Sequence, residues 1–141
     1  MSKNYVKLKD LKGFDDEFLN ALGELEQRIF ESYGQFMKPR DGEVEHSMFT
    51  EFKQNFGYDT SGRKYLRLVN GAFGSSASVW GFIAKTDFEV DSKRKTGPAK
   101  VVFKEGDLLK SAGWATPALN APRGNIFMED YKVQWTGPNY L

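Results

Sequence analysis

The sequence predicts an α+β fold with two N-terminal amphipathic helices followed by a mostly antiparallel sheet of about five strands. Between Phe14 and Phe56, apolar side chains recur at helical spacing. From Lys64 to Trp135 the chain breaks into short runs of β-branched and aromatic residues separated by Gly, Pro and polar connections. Helical runs precede strand runs and do not alternate with them, which is the segregation of an α+β fold and not of a βαβ one.

In the first helix, FDDEFLNALGELEQRIFESY (14–33), Phe18, Leu22, Leu25, Ile29 and Tyr33 share one face, while Glu24, Arg28 and Glu31 take the other. Asp15 or Asp16 can cap its start and Gly34 can stop it. KPRDG (38–42) reads as a turn. EVEHSMFTEFKQNFG then spaces Val44, Met48, Phe52 and Phe56 at intervals of four, which predicts a shorter second helix ending at Gly57. KYLRLVN (64–70) and SVWGFIA (78–84) predict a β-hairpin joined by the Gly-rich GAFGSSA, and TDFEV (86–90) continues or pairs with it. DSKRKTGPA (91–99) predicts an exposed basic loop. AKVVF (99–103) and GDLLKS (106–111) predict a strand pair around a Lys-Glu-Gly turn, and DYKVQW (130–135) predicts a last strand.

A chain of 141 residues fits a single domain, with residues 1–60 its helical part and 61–141 its β-rich part. Hydrophobic residues at 40% and charged residues at 28% match a globular protein, and no apolar run approaches the length needed to span a bilayer. MSKNYVKLKD has no apolar segment behind its lysines, so the expectation is a cytosolic protein without a secretory signal. No cysteine is present, so neither disulfides nor thiolate chemistry enter. The aromatic content of 15% is enough large side chain to build a core without staples.

Charge is divided unevenly. Residues 1–60 carry 8 Lys and Arg against 12 Asp and Glu, net −4, and residues 61–141 carry 12 against 7, net +5, so an anionic partner belongs to the second half. Catalytic signatures are sparse: His46 is the only histidine and reads as a solvated helix residue, and Glu105 with Asp107 reads as turn chemistry. No metal site or cofactor is expected. GAFGSS (71–76) lacks the Gly-Lys-Ser/Thr ending of a phosphate loop and precedes a strand, which makes it a hairpin turn.

KSAGWATPALNAPRGNIF (110–127) is the stretch where a ligand site is expected. Lys110 and Arg123 supply cationic donors, Trp114 a flat face, Gly124 and Asn125 close backbone approach, and Pro117 and Pro122 stiffness. The same residues also suit an irregular crossover over a small core. Lys93, Arg94, Lys95 and Lys100 form a second, weaker candidate for phosphate or nucleic-acid contact.

Gly106-Asp107-Leu108-Leu109-Lys110, Trp114, Pro117-Ala118, Arg123-Gly124-Asn125-Ile126 and Trp135-Thr136-Gly137, with Gly-Pro-Asn-Tyr-Leu closing the chain, resemble a pattern of small uncharacterised proteins of tailed bacteriophages. The resemblance spans residues 64–141. Ala115-Thr116 and Leu119-Asn120 depart from it where those proteins carry more basic residues. It implies a phage origin, expression in the bacterial host cytoplasm and an accessory role toward host defence or metabolism; it implies no particular activity. The function expected is therefore non-enzymatic binding of a nucleotide-like anionic ligand, with a counter-defence sequestering role. The alternatives are a nucleic-acid-binding module using loop 92–100 and exposed aromatics such as Trp80, or a protein-interaction or virion-associated part that engages a host protein or forms a homo-oligomer.

Overall fold

A computed structural model describes residues 5–74, 76–92, 96–97 and 99–138. In chain order they form β1 (Tyr5–Val6), α1 (Asp16–Phe36), α2 (Ser47–Asn55), β2 (Gly57–Asp59), β3 (Tyr65–Asn70), β4 (Ser78–Ala84), β5 (Phe88–Asp91), β6 (Lys100–Phe103), β7 (Leu108–Leu109), β8 (Val133–Gln134) and β9 (Gly137–Pro138). The fold is α+β, and its main sheet has five strands in the order β1-β2-β3-β4-β7, every pairing antiparallel. Two further ribbons, β5-β6 and β8-β9, stand apart from it.

Asp15 caps α1, its carboxylate accepting from Phe18 N–H at 2.9 Å. Phe18, Leu22, Leu25, Ile29 and Tyr33 are buried as their spacing predicts, joined by Ala21. The helix passes through Gly34 and ends three residues later than the sequence predicts, because Tyr33 and Phe36 pack against Trp135 at 5.0 and 5.3 Å between ring centroids. Packing here outweighs the low helix propensity of one glycine.

α2 begins later than predicted. His46 is its N-cap, accepting from Met48 N–H at Nδ1, and it is buried with Nε2 3.3 Å from Arg40; the expectation of a solvated histidine is corrected by this capping role. Val44 consequently lies before the helix and is fully exposed, and Met48 is half-exposed. Phe49 and Phe52 instead stack on Tyr33 at 5.9 and 4.4 Å. At the other end Lys7 reaches over from beyond β1, its ammonium donating to the carbonyls of Lys53 (3.0 Å) and Gln54. A cation thus satisfies acceptors that the helix leaves open.

The sheet has two covered faces. On one, Leu22, Leu25 and Ile29 of α1 meet Tyr58, Leu66, Leu68, Trp80, Ile83 and Leu108. On the other, Phe82, Ala84, Phe103 and Leu109 form a second cluster with Tyr65, Val79, Phe88, Val90, Val101 and Leu119 against it. A bulge divides the residues of β4 between these faces. Leu68 opposes Gly81 and Val69 opposes Val79, which leaves Trp80 as the extra residue. The slip puts Trp80 on the helix side with Ile83, where its Nε1–H donates to Gln134 O at 2.9 Å. Trp80 is therefore core, and the expectation of an exposed aromatic for nucleic-acid stacking is overturned.

The predicted hairpin of β3 and β4 is present, with residues 71–74 turning between them. Other pairings differ. AKVVF pairs with β5 and not with GDLLKS, whose Leu108–Leu109 pairs with β4. DYKVQW contributes only Val133–Gln134, paired with β9. The sheet also draws β1 and β2 from the first sixty residues, where the sequence predicts helix and connection only.

Leu25 leaves nothing to solvent beneath this sheet. Leu25→Ala is expected to lower unfolding free energy by about 2–5 kcal/mol, through lost burial and the cavity left behind. Denaturant unfolding followed by far-UV circular dichroism measures it, and a loss below about 1 kcal/mol contradicts the packing described.

Candidate functional site

The stretch from Lys110 to Phe127 leaves the edge of β7 and returns to it. Outbound, Ser111 bridges Pro117, Ala112 and Gly113 N–H both donate to Thr116 O (2.8 and 3.1 Å), and Ala118 N–H donates to Lys110 O at 2.7 Å. These bonds close residues 111–117 into a tip. On the return, Arg123 N–H donates to Leu108 O (2.7 Å), Leu108 N–H to Gly124 O (2.8 Å) and Ile126 N–H to Gly106 O (3.0 Å). Residues 123–126 thus run alongside 106–108 and satisfy backbone groups that a bare sheet edge would leave open.

The excursion encloses a groove of about 490 Å³ against the β5-β6 ribbon. Val90, Asp91, Ser92 and Val101 form one wall; Ala112, Thr116, Pro117, Ala118, Leu119 and Asn120 form the other. The volume lies in the range of small-molecule sites, roughly 300–1,000 Å³, and a mainly apolar wall with a few polar side chains has their usual composition. Asp91 is the acidic group in the lining. Lys100 sits 2.8 Å from it, and that hydrogen bond and charge hold the Asp91 carboxyl below the usual Asp range.

Of the five residues that the sequence singles out, none is in the described lining of this groove. Arg123 is nearest: its Nη2 donates to Asn120 Oδ1 at 3.0 Å and its Nε to Ala121 O at 3.3 Å. Trp114 is at the tip, 45% exposed. Lys110 turns to the C-terminal ribbon, donating to Pro138 O at 3.1 Å. Gly124 has φ 136°, and a Cβ there would stand 2.6 Å from Tyr131 Cβ, so its glycine serves packing. Asn125 Nδ2 donates to Glu105 O (2.9 Å) and Asp107 Oδ1 (3.0 Å), and its Oδ1 accepts from Phe127 N–H at 2.8 Å. Asp107 is buried and also accepts from Lys104 N–H at 2.8 Å, so Asp107 and Asn125 together lock the turn at 104–107. Of the basic loop, Lys100 is described and ion-paired; Lys93, Arg94 and Lys95 lie outside the described residues.

Arg67 holds the tip of the candidate site in a way the sequence does not reveal. Its guanidinium lies 4.7 Å from the Trp114 ring centroid, its Nη1 donates to Trp114 O at 2.8 Å, and its Nη2 pairs with Asp59. Asp59 stands directly across from it in the β2-β3 register and also accepts from Ser61 N–H (2.9 Å) and Oγ–H (2.6 Å). The tip carrying one groove wall is thereby clamped to the main sheet. In KYLRLVN, Arg67 alternates with Leu66 and Leu68, which places it off the helix-facing side; nothing in the sequence names Asp59 or Trp114 as its partners.

The chain matches no protein-family model, no curated protein and no solved structure. Among the described residues, no helix is long and apolar enough to cross a membrane, and no group of His, Asp and Glu could hold a metal ion.

Burial pushes the Asp59 carboxyl up, but the hydrogen bonds from Ser61 and Arg67 outweigh it and leave it below the usual Asp value. The depressed group contributes its stability fully above the unfolded value of about 3.9 and loses it as pH falls through the lower folded value. Asp59→Asn is expected to flatten the fall in melting temperature below about pH 4 relative to the parent. Thermal unfolding across that range tests this, and identical pH profiles for the two proteins would contradict it.

Proposed function

We propose that the protein is a non-enzymatic binder of a small nucleotide-like anion, held in the groove between the β5-β6 ribbon and residues 112–120. The observation that carries this is the groove itself, about 490 Å³ with mainly apolar walls. Val90, Val101, Pro117 and Leu119 suit a flat ring, and Ser92, Thr116 and Asn120 offer hydrogen bonds along its edge. Arg123 is already bonded to Asn120 and within one side chain of the groove, where a guanidinium can take a phosphate or carboxylate. Lys100, 2.8 Å from Asp91, offsets part of the repulsion an anion would otherwise meet. A binder fits better than an enzyme because Asp91 is the single titratable side chain of the described lining, with no second acid or base beside it there. The phage resemblance gives such a binder a place: an accessory protein in the host cytoplasm that sequesters a signalling nucleotide.

Differential scanning fluorimetry against mono-, di- and cyclic nucleotides tests the reading. A true ligand at about 100 times its Kd adds about 2.7 kcal/mol and raises the melting temperature by several degrees. The rise is expected to disappear in Arg123→Ala and to shrink in Leu119→Ala, each checked for folding by circular dichroism. If no nucleotide moves the transition, or the shift persists unchanged in both variants, this function is wrong.

A further inference from the structure

A second surface lies at one end of the main sheet. Lys64 precedes β3, Lys85 follows β4 and Lys104 follows β6, with Arg63 beside them. Lys64 and Lys85 are ladder neighbours, Lys85 N–H donating to Lys64 O at 3.0 Å, and the 104–107 turn that carries Lys104 meets the end of β4 through Gly106 N–H donating to Ala84 O at 2.9 Å. With neighbouring strands about 4.8 Å apart, these three backbones span roughly 10 Å.

Half-buried aromatic rings lie under two of these side chains. Lys64 Nζ is 4.2 Å from the Phe88 ring centroid, and Lys85 Nζ is 5.6 Å from that of Phe14 while donating to Gly62 O at 2.6 Å. Such contacts hold the aliphatic stems and leave the charged heads at the surface. Lys104 lies 3.7 Å from Asp87, both side chains about two-thirds exposed, so that pair is loose and water-screened. Asp87 and Glu105 are the carboxylates in the same turns, against four cations, and Asp15, Asp16 and Glu17 follow Phe14 at the start of α1.

We infer that this end of the sheet docks the phosphate backbone of a nucleic acid without reading its sequence. A row of lysines and an arginine across three adjacent backbones can meet successive phosphates and release their counterions. An anionic membrane fits less well. Peripheral attachment couples cations to apolar side chains that insert, and here Phe88 is stacked on Phe103 at 4.8 Å beneath Lys64. The surface is separate from the groove and does not depend on the groove's ligand.

The test is fluorescence anisotropy of a labelled oligothymidylate and a labelled duplex, titrated with the full chain from low to physiological salt. Three to four phosphate contacts on a single strand predict a slope of log K against log salt of about −2 to −3. Lys64→Glu/Lys104→Glu is expected to reduce that slope by about one per lysine, and Lys64→Gln/Lys104→Gln to shift it the same way with less loss of affinity. Lys9→Glu/Lys132→Glu, an equal charge change elsewhere, is expected to leave binding near the parent level. The inference falls if no oligonucleotide binds at low salt, if the two double Glu variants lose affinity equally, or if the folded Lys64/Lys104 variants bind like the parent. Binding to phosphatidylserine-containing vesicles with none to either oligonucleotide would also overturn it.

Discussion

Leu22, Leu25 and Ile29 are wholly removed from solvent because α1 lies along one face of a sheet whose edge strands are only two residues long. Strands that short have few ladder bonds, so their position depends on the side chains they share with the helix. Leu108 of β7 packs in the same cluster as Leu22 and Leu25, and Tyr58 of β2 donates to Glu26 at 2.6 Å from the sheet side. Burial pushes both the Tyr58 phenol and the Glu26 carboxyl up, and bonding of phenol to carboxylate satisfies the two polar groups where α1 meets the sheet.

A sheet with one face committed to α1 still has a second apolar face, and its covering creates the groove. The bulge at Trp80 sends that residue to the helix and leaves Val79, Phe82 and Ala84 for the other side. The β5-β6 ribbon covers them through Phe88 and Phe103, and the excursion after β7 adds Leu119. Among the described residues no strand pairing joins ribbon and excursion, so their meeting line is not zipped shut by a described ladder. The groove is the gap between these two covers.

How far the sequence discloses this follows the range of each interaction. The buried face of α1 and the β3-β4 hairpin rest on local periodicity and turn chemistry, and both are legible in the sequence. Pairing between AKVVF and TDFEV is not, because Val and Phe alternation tells which residues share a face without naming the neighbouring strand. β1 and β2 are two and three residues long, below the length at which a period of two can be seen. The candidate groove is legible in part: residues 110–127 do form one of its walls, but through Ala112 and Thr116–Asn120, while Lys110, Trp114 and Asn125 make contacts outside that lining. The facing wall depends on the β5-β6 pairing and is hidden with it.

Arg67 shows why chemistry-bearing residue types mislead in this chain. Burying the Asp59 carboxylate beside it costs desolvation that the ion pair offsets only with the added bonds from Ser61. Having entered that pair, the guanidinium still has donors and a flat face to place, and the Trp114 carbonyl and ring take them. Trp114 is therefore the last member of a chain that begins with a buried charge. Its exposed indole serves first to anchor the tip, and the apolar wall behind it, from Thr116 to Asn120, keeps its place because a carboxylate two strands into the sheet needs a partner.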